Sequence, residues 1–452
     1  MTLEETFALA LENHQKHNLQ VAEKLYNEVL KLNPNHSLSY NNLGLIINAS
    51  GDHLKAKKFY EKATEINPNY ADAFNSLGVV LQQLEDYSNA LKSYEKVIEI
   101  KPNHLGANNN LGSLYYLLGD TLKAISYYEK AIEIDSNNLF TLNNIAMAFH
   151  TLEEDKKSIS YYKKALKIDP HQEEIRYNLA ELLYSKSQYE NAVAEFKLIN
   201  FKNSKSFLLS CFYKLGYRSV FFKELDNLIN EGEVNALIGS LSTCAEIKYG
   251  ITRPNLFCKE PLKYVLETNL AEKYDFKNTF VKTIKNILNK ELISKKTQRL
   301  LTNGIQTNGN IFQQKKDQTK IIKDIIYSEI EKYKINFKNS KEGLIKNWPA
   351  NYDIYGWLIS MKSGGKITPH IHEYGWLSGS IYINIPPKLK TNSGNLVVCI
   401  EENESSSSNK NKIINLSTGS LCLFPASLYH YTIPFESEEE RLVLAFDVIA
   451  KT

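Results

Sequence analysis

One ladder of residues constrains this chain more than any other feature. Small side chains stand at Ala22, Ala56, Ala90, Ala124, Ser158 and Ala192, each 34 positions after the last, and Tyr26, Tyr60, Tyr94, Tyr128, Tyr162 and Phe196 keep the same register. Pro34, Pro68, Pro102 and Pro170 recur at that interval, with Ser136 in the remaining place. A period of this length marks a solenoid of helical hairpins, in which each unit buries its apolar face only against its neighbours. The small residue lets the two antiparallel helices of a unit approach closely. The aromatic fills the gap between units, and the proline, which has no N–H to give, ends the second helix.

Within the first helices the signature recurs as YNNLG (Tyr40–Gly44), FNSLG (Phe74–Gly78), NNNLG (Asn108–Gly112) and LNNIA (Leu142–Ala146). These residues resemble the tetratricopeptide repeat family, over Thr2 to Ile199 in six units. Residues 1–205 are therefore expected to form an all-α superhelix. Residues 206–252, which open on SFLLSCFYKLGYRSVFFKELDNLI, are expected to form a helical cap and linker. Asn42, Asn110, Asn144 and Asn178 share one register position, interrupted by Ser76. Similarity to the asparagine-ladder type of tetratricopeptide domain implies a protein or peptide partner held by these amides in the groove. The plainer alternative is that each amide ties neighbouring helices together.

At 452 residues and 43% hydrophobic content the chain is too long for one core and apolar enough to fold. A net charge of +3 is too small to argue for a partner. Lysines gather between Glu272 and Lys346 in a chain that is Lys-rich throughout, which reads as a solvated helix face and not as a surface for nucleic acid or membrane. The five cysteines are odd in number, scattered and free of any CxxC, a pattern of reduced thiols in a cytoplasmic protein. The segment MTLEETFALALENHQ has acids where a signal peptide needs bases, and no apolar run approaches the ~18 residues of a membrane span.

Beyond NWPANY (Asn347–Tyr352) the helical period stops. Short apolar runs follow, YDIYGWLISMK, SGSIYINIP, NLVVCI, KIINL, SLCLFP and RLVLAFDVI, separated by Gly, Pro, Asn and Ser. EENESSSSNKNK reads as a solvent loop between two of them. This spacing predicts a β jelly roll with packed helices on its outer face, over residues 253–452.

Seven of the ten histidines lie at or before His171, and the other three are His370, His372 and His430. On a strand, residues two apart share a face, so His370 and His372 can aim at one metal, with His430 closing the set from the opposite sheet. The alternative is that the three are turn or core histidines satisfied by backbone groups. Arg441 opens the last strand in a chain that has 5 Arg among its 54 Lys and Arg. A planar fork for a carboxylate is the task that lysine does poorly; a rim salt bridge to Glu438, Glu439 or Glu440 is the other reading.

H-x-H, a downstream His and an Arg eleven positions later on the final strand resemble the iron(II)- and 2-oxoglutarate-dependent oxygenases. The likeness is greatest to a bacterial group with patterns such as PHIHEYGWLSGSIYINIP and GSLCLFPASLYHYTIPF, and it extends over Arg253 to Val448. It implies Fe(II) held by His370, His372 and His430, 2-oxoglutarate anchored by Arg441 with Tyr382 and Asn384 beside it, O2 as co-substrate, and hydroxylation of a protein or peptide side chain. Two departures stand out. Most of the superfamily has a carboxylate at the position of His372, which leaves open whether His372, Glu373 or water is the third ligand. Val443 replaces a hydroxyl residue often found two after the arginine. The rival readings are a non-catalytic tetratricopeptide scaffold with a metal- or ligand-binding cupin-like domain, and a three-histidine cupin enzyme that uses no 2-oxoglutarate.

Overall fold

The second helix of each repeat begins at Leu19, His53, Tyr87, Thr121, Asp155 and Tyr189, a strict interval of 34 residues. In the computed structural model, which describes residues 1–289, 295–296, 300–307, 309–402 and 410–451, the chain divides into Met1–Ile175 and Arg176–Thr452. The first unit holds five complete hairpins, and the boundary falls inside the sixth repeat, within the helix Glu173–Ser185.

Local chemistry sets the helix ends. Asp52, Asp86 and Asp120 accept from the backbone N–H groups of Lys55, Asn89 and Lys123, each cap worth about 1 kcal/mol. His36 and His104 cap two first helices in the same way, so those imidazoles are structural. Asn33, Asn67, Lys101 and Asp169 close second helices in extended or near-extended conformations immediately before the prolines, as the pre-proline position demands. Asp135 does the same before Ser136, so the stop survives without the ring.

The tyrosines fill space inside their own hairpins, and not only between units as the period alone suggests. A Cβ on Gly44 would lie 2.5 Å from the Tyr60 ring and one on Gly112 2.5 Å from that of Tyr128, with Gly78 and Tyr94 alike. Glycine at mid-helix costs about 1 kcal/mol against alanine. Here it admits a tyrosine that is fully buried. In the same unit Asn110 donates to Asn75 (3.1 Å) and Asn144 to Ser113 (3.4 Å), so at these two rungs the amides do tie neighbouring helices.

In the second unit the helices Ser204–Leu215, Arg218–Glu231 and Ala236–Tyr249 precede ten strands. These are β1 (Leu266–Asn269), β2 (Lys295–Lys296), β3 (Leu301–Thr307), β4 (Tyr352–Ile367), β5 (Leu377–Asn384), β6 (Leu396–Cys399), β7 (Asn411–Ile414), β8 (Ser420–Pro425), β9 (Tyr429–Thr432) and β10 (Arg441–Ala450). They form an antiparallel sheet of order β1-β8-β5-β10-β4-β3-β2 and a smaller one of order β7-β6-β9, the two layers of the jelly roll. The six sequence-predicted strands are all present. β1, β2, β3 and β9 went unread because they are short or polar and lack a clear period. Of the stretch EENESSSSNKNK, residues 403–409 lie outside the described residues.

Strand parity divides β10 between two cores. Leu442, Leu444, Phe446 and Val448 pack outward against Phe280, Ile284, Ile322, Ile326 and Ile330 of the covering helices Thr283–Asn289 and Lys316–Asn336 and the turn before them. Val443 and Ala445 pack inward with Tyr382, Val398, Phe424 and Leu428. The inward parity also carries Arg441 and Asp447. All five cysteines are free thiols and buried. Among the described residues no helix is long and apolar enough to cross a membrane.

Candidate metal centre

His370 and His430 face each other in an isolated antiparallel bridge. The His370 N–H donates to the His430 carbonyl (3.2 Å) and the His430 N–H returns a bond of 2.9 Å. Directly opposed residues project from the same face, and the two ring centroids are 4.2 Å apart. Two expectations need correcting here. His430 lies on its own strand, β9, and His370 extends that same small sheet, so the two are neighbours and not partners across opposite sheets. His372 lies off any strand, in the turn between β4 and β5, and alternation along a strand does not explain its direction.

That direction comes from hydrogen bonds. The His372 Nδ1 lies 2.6 Å from a carboxylate oxygen of Asp447 on β10, and the His370 Nδ1 lies 2.9 Å from the Thr368 carbonyl. Both partner oxygens can only accept, so each Nδ1 carries a hydrogen, and in a neutral ring that leaves the lone pair on Nε2. The two Nε2 atoms are 3.2 Å apart. Between two neutral rings the lone pairs face at that distance, and a cation between them relieves the repulsion. Ligands about 2.1 Å from an ion and at right angles stand about 3 Å apart, so the spacing suits a metal. Ligand atoms of all three histidines lie within 4.8 Å of one another. Burial pushes His370 down to about 4, with His372 adding to it. Burial, then His370, holds His430 well below the ordinary range. Neither imidazole is protonated at neutral pH, which is the state that a metal requires. The chemistry of the donor set, three imidazoles, fits a divalent ion such as Fe(II).

The carboxylate of Glu373 accepts from the Tyr184 hydroxyl (3.0 Å), and burial raises it to about 7. The histidine cluster includes no carboxylate among the described residues.

Arg441 is 1% exposed and heads the largest fully buried side chains. Its guanidinium donates to the Gly394 carbonyl and lies 5.1 Å from the centroid of the Tyr382 ring, while Nε has no partner. Among the described residues no carboxylate reaches it, so the rim salt bridge does not form. Asn384 stands apart, its amide bonded to the Glu440 carbonyl (2.6 Å). His370, His372, His430, Arg441 and Tyr382 line one cavity of about 760 Å³, and Asn384 does not. Trp357, Asp447, Tyr177, Asn178 and Glu181 line it too. Asn178 thus belongs to this cavity, whereas Asn42, Asn110 and Asn144 belong to the first unit. Asp447, Trp357 and Tyr177 were missed in the sequence. Asp447 was within reach, since it shares the parity of Arg441 on the last strand.

Residues 355–447 match the family described as "Putative 2OG-Fe(II) oxygenase", and residues 35–103, 69–137 and 104–171 match the tetratricopeptide repeat family. The chain is thus a fusion of tetratricopeptide repeats with a 2-oxoglutarate/Fe(II) oxygenase-type domain. A comparison with curated proteins finds no match. Solved structures similar to this chain include MamA (24% identity, covering 36% of this chain and 94% of that one, TM-score 0.33). They also include pilF of Pseudomonas aeruginosa (22% identity, 42% and 90%, TM-score 0.39) and YrrB, a tetratricopeptide protein (22% identity, 40% and 90%, TM-score 0.34).

Proposed function

We propose that the protein is an Fe(II)- and 2-oxoglutarate-dependent dioxygenase that hydroxylates a protein or peptide side chain recruited by the repeats. The observation that carries the reading is Arg441: a buried fork with no carboxylate partner, in the same cavity as three converging imidazoles. His370, His372 and His430 would hold the ion. Arg441 takes the distal carboxylate of 2-oxoglutarate through parallel bonds, with the Tyr382 ring against the guanidinium. Bound iron supplies the activation of O2. One oxygen atom ends in succinate, formed with CO2 from 2-oxoglutarate, and the other in the hydroxyl that replaces a substrate hydrogen. Tyr177, Asn178 and Glu181 form the cavity wall against which the substrate lies, and Asn178 offers the ladder's amide chemistry at that wall.

The test is succinate formation by the full chain, reconstituted with Fe(II) and supplied with a peptide pool that is then searched for a +16 mass shift. Iron-dependent turnover that His430→Ala abolishes supports the reading, and unchanged turnover in that variant sinks it. The three-imidazole set keeps a second reading alive, a scaffold whose β domain binds metal without turnover. Iron binding with no 2-oxoglutarate-dependent oxygen uptake favours it. Arg441→Lys separates the three-histidine cupin enzyme: it raises the 2-oxoglutarate KM under the proposal and has no effect under the alternative.

A further inference from the structure

We infer that Asp447 is a positioning residue of the metal centre, supplying through His372 the carboxylate charge that the ligand set lacks. The inference rests on the reading that the three histidines hold the iron.

The sheet register builds the arrangement. Asp447 on β10 pairs directly with Ser378 on β5. The Ser378 hydroxyl donates to the Asp447 oxygen at 2.7 Å and lies 3.1 Å from the His372 Nδ1. That same carboxylate oxygen is 2.6 Å from Nδ1. Asp447 is 8% exposed, and among the described residues no lysine or arginine reaches it. Besides the Ser378 hydroxyl, this buried carboxylate meets the ring of His372, to which it can pass its charge. Because Nδ1 and Nε2 lie on different edges of the imidazole, Asp447 stands on the side of the ring away from the His370 Nε2. It therefore acts by orienting the ring, fixing the Nδ1–H tautomer and raising the basicity of Nε2, and not by ligating the ion. This also accounts for His372 pointing at His370 from a turn. In the superfamily's usual arrangement a carboxylate sits on the metal; here the negative charge sits one imidazole further out.

The experiment uses Zn(II) and Co(II), so that no turnover is needed. Nitrogen-15 NMR of the full chain loaded with Zn(II) should show His372 ligating through Nε2 with its hydrogen on Nδ1. Asp447→Asn keeps a hydrogen-bond acceptor and removes the charge, so its Co(II) Kd should rise about 10- to 100-fold, with a shifted visible absorption band. A Kd within about twofold of wild type and an unchanged band, or ligation of His372 through Nδ1, overturns the inference and leaves the triad standing. Wild-type Co(II) affinity in His430→Ala instead overturns the triad reading itself. If Asp447→Asn does not fold by circular dichroism, the wild-type nitrogen spectrum decides.

Discussion

Replacing Arg441 by methionine should make the ligand-free protein more stable and abolish its response to 2-oxoglutarate. A guanidinium buried without a carboxylate pays several kcal/mol of desolvation, and burial accordingly lowers its pKa. Its Nε, with no partner, adds about 1–3 kcal/mol. Against this stand the Tyr382 ring, worth about 2 kcal/mol when desolvated, and the bond to the Gly394 carbonyl, worth about 1.5–3 kcal/mol. The balance is unfavourable by a small margin, and methionine keeps the apolar stem. The expected gain is about 1–3 kcal/mol, in the range seen when buried ions give way to apolar groups. At a 2-oxoglutarate concentration of 100 Kd, wild type gains about 2.7 kcal/mol and the variant nothing, so the order of stability reverses. Trp348, Trp357 and Trp376 all lie in the second unit. Tryptophan fluorescence during thermal unfolding, with a redox-inert divalent ion present, therefore reports that unit alone. A variant less stable than wild type without ligand, yet still stabilised by 2-oxoglutarate, would refute the reasoning.

Two further substitutions probe other parts of the chain. Gly112→Ala sets a Cβ 2.5 Å from the Tyr128 ring and should destabilise the first unit by about 1–3 kcal/mol, read by circular dichroism; Gly112→Ala combined with Tyr128→Leu should recover part of the loss, and no recovery would mean that the ring contact is not the cause. Glu373→Gln tests the buried carboxyl, raised to about 7 from 4.5. Folded wild type keeps a proton there that the unfolded chain has lost between these values, so its stability falls as pH rises through that window. At about 1.4 kcal/mol per pH unit, the variant should match wild type below pH 4.5 and exceed it above pH 7 by up to about 3 kcal/mol. The opposite trend from His370 is common to both proteins and cancels in their difference. An equal gap at every pH, measured by chemical denaturation, argues against a buried neutral carboxyl.

How much of the site was legible can be judged residue by residue. The segregation of His370, His372 and His430 from the other histidines pointed to a metal, and the scarcity of arginine singled out Arg441. Asp447 was legible in principle from its parity with Arg441, but nothing in the spacing says that it reaches a histidine 75 positions earlier. Asn384 also shared a face by parity with Tyr382. It sits at the end of β5, where a register shift near Leu442 turns its amide to the Glu440 carbonyl and out of the cavity.

The sequence by itself determined what depends on local periodicity. The interval of 34 residues dictates stacked hairpins, because the small residue, the aromatic and the helix stop act within a unit or against the next one. Alternation in RLVLAFDVI likewise dictates which side chains of β10 face inward. Tertiary structure decided everything that depends on which strands become neighbours. The His370–His430 bridge, the tie between His372 and Asp447, and the burial of Arg441 away from its acidic neighbours join residues far apart in the chain. Their meeting follows from strand order and register, which many contacts set together and no single motif encodes.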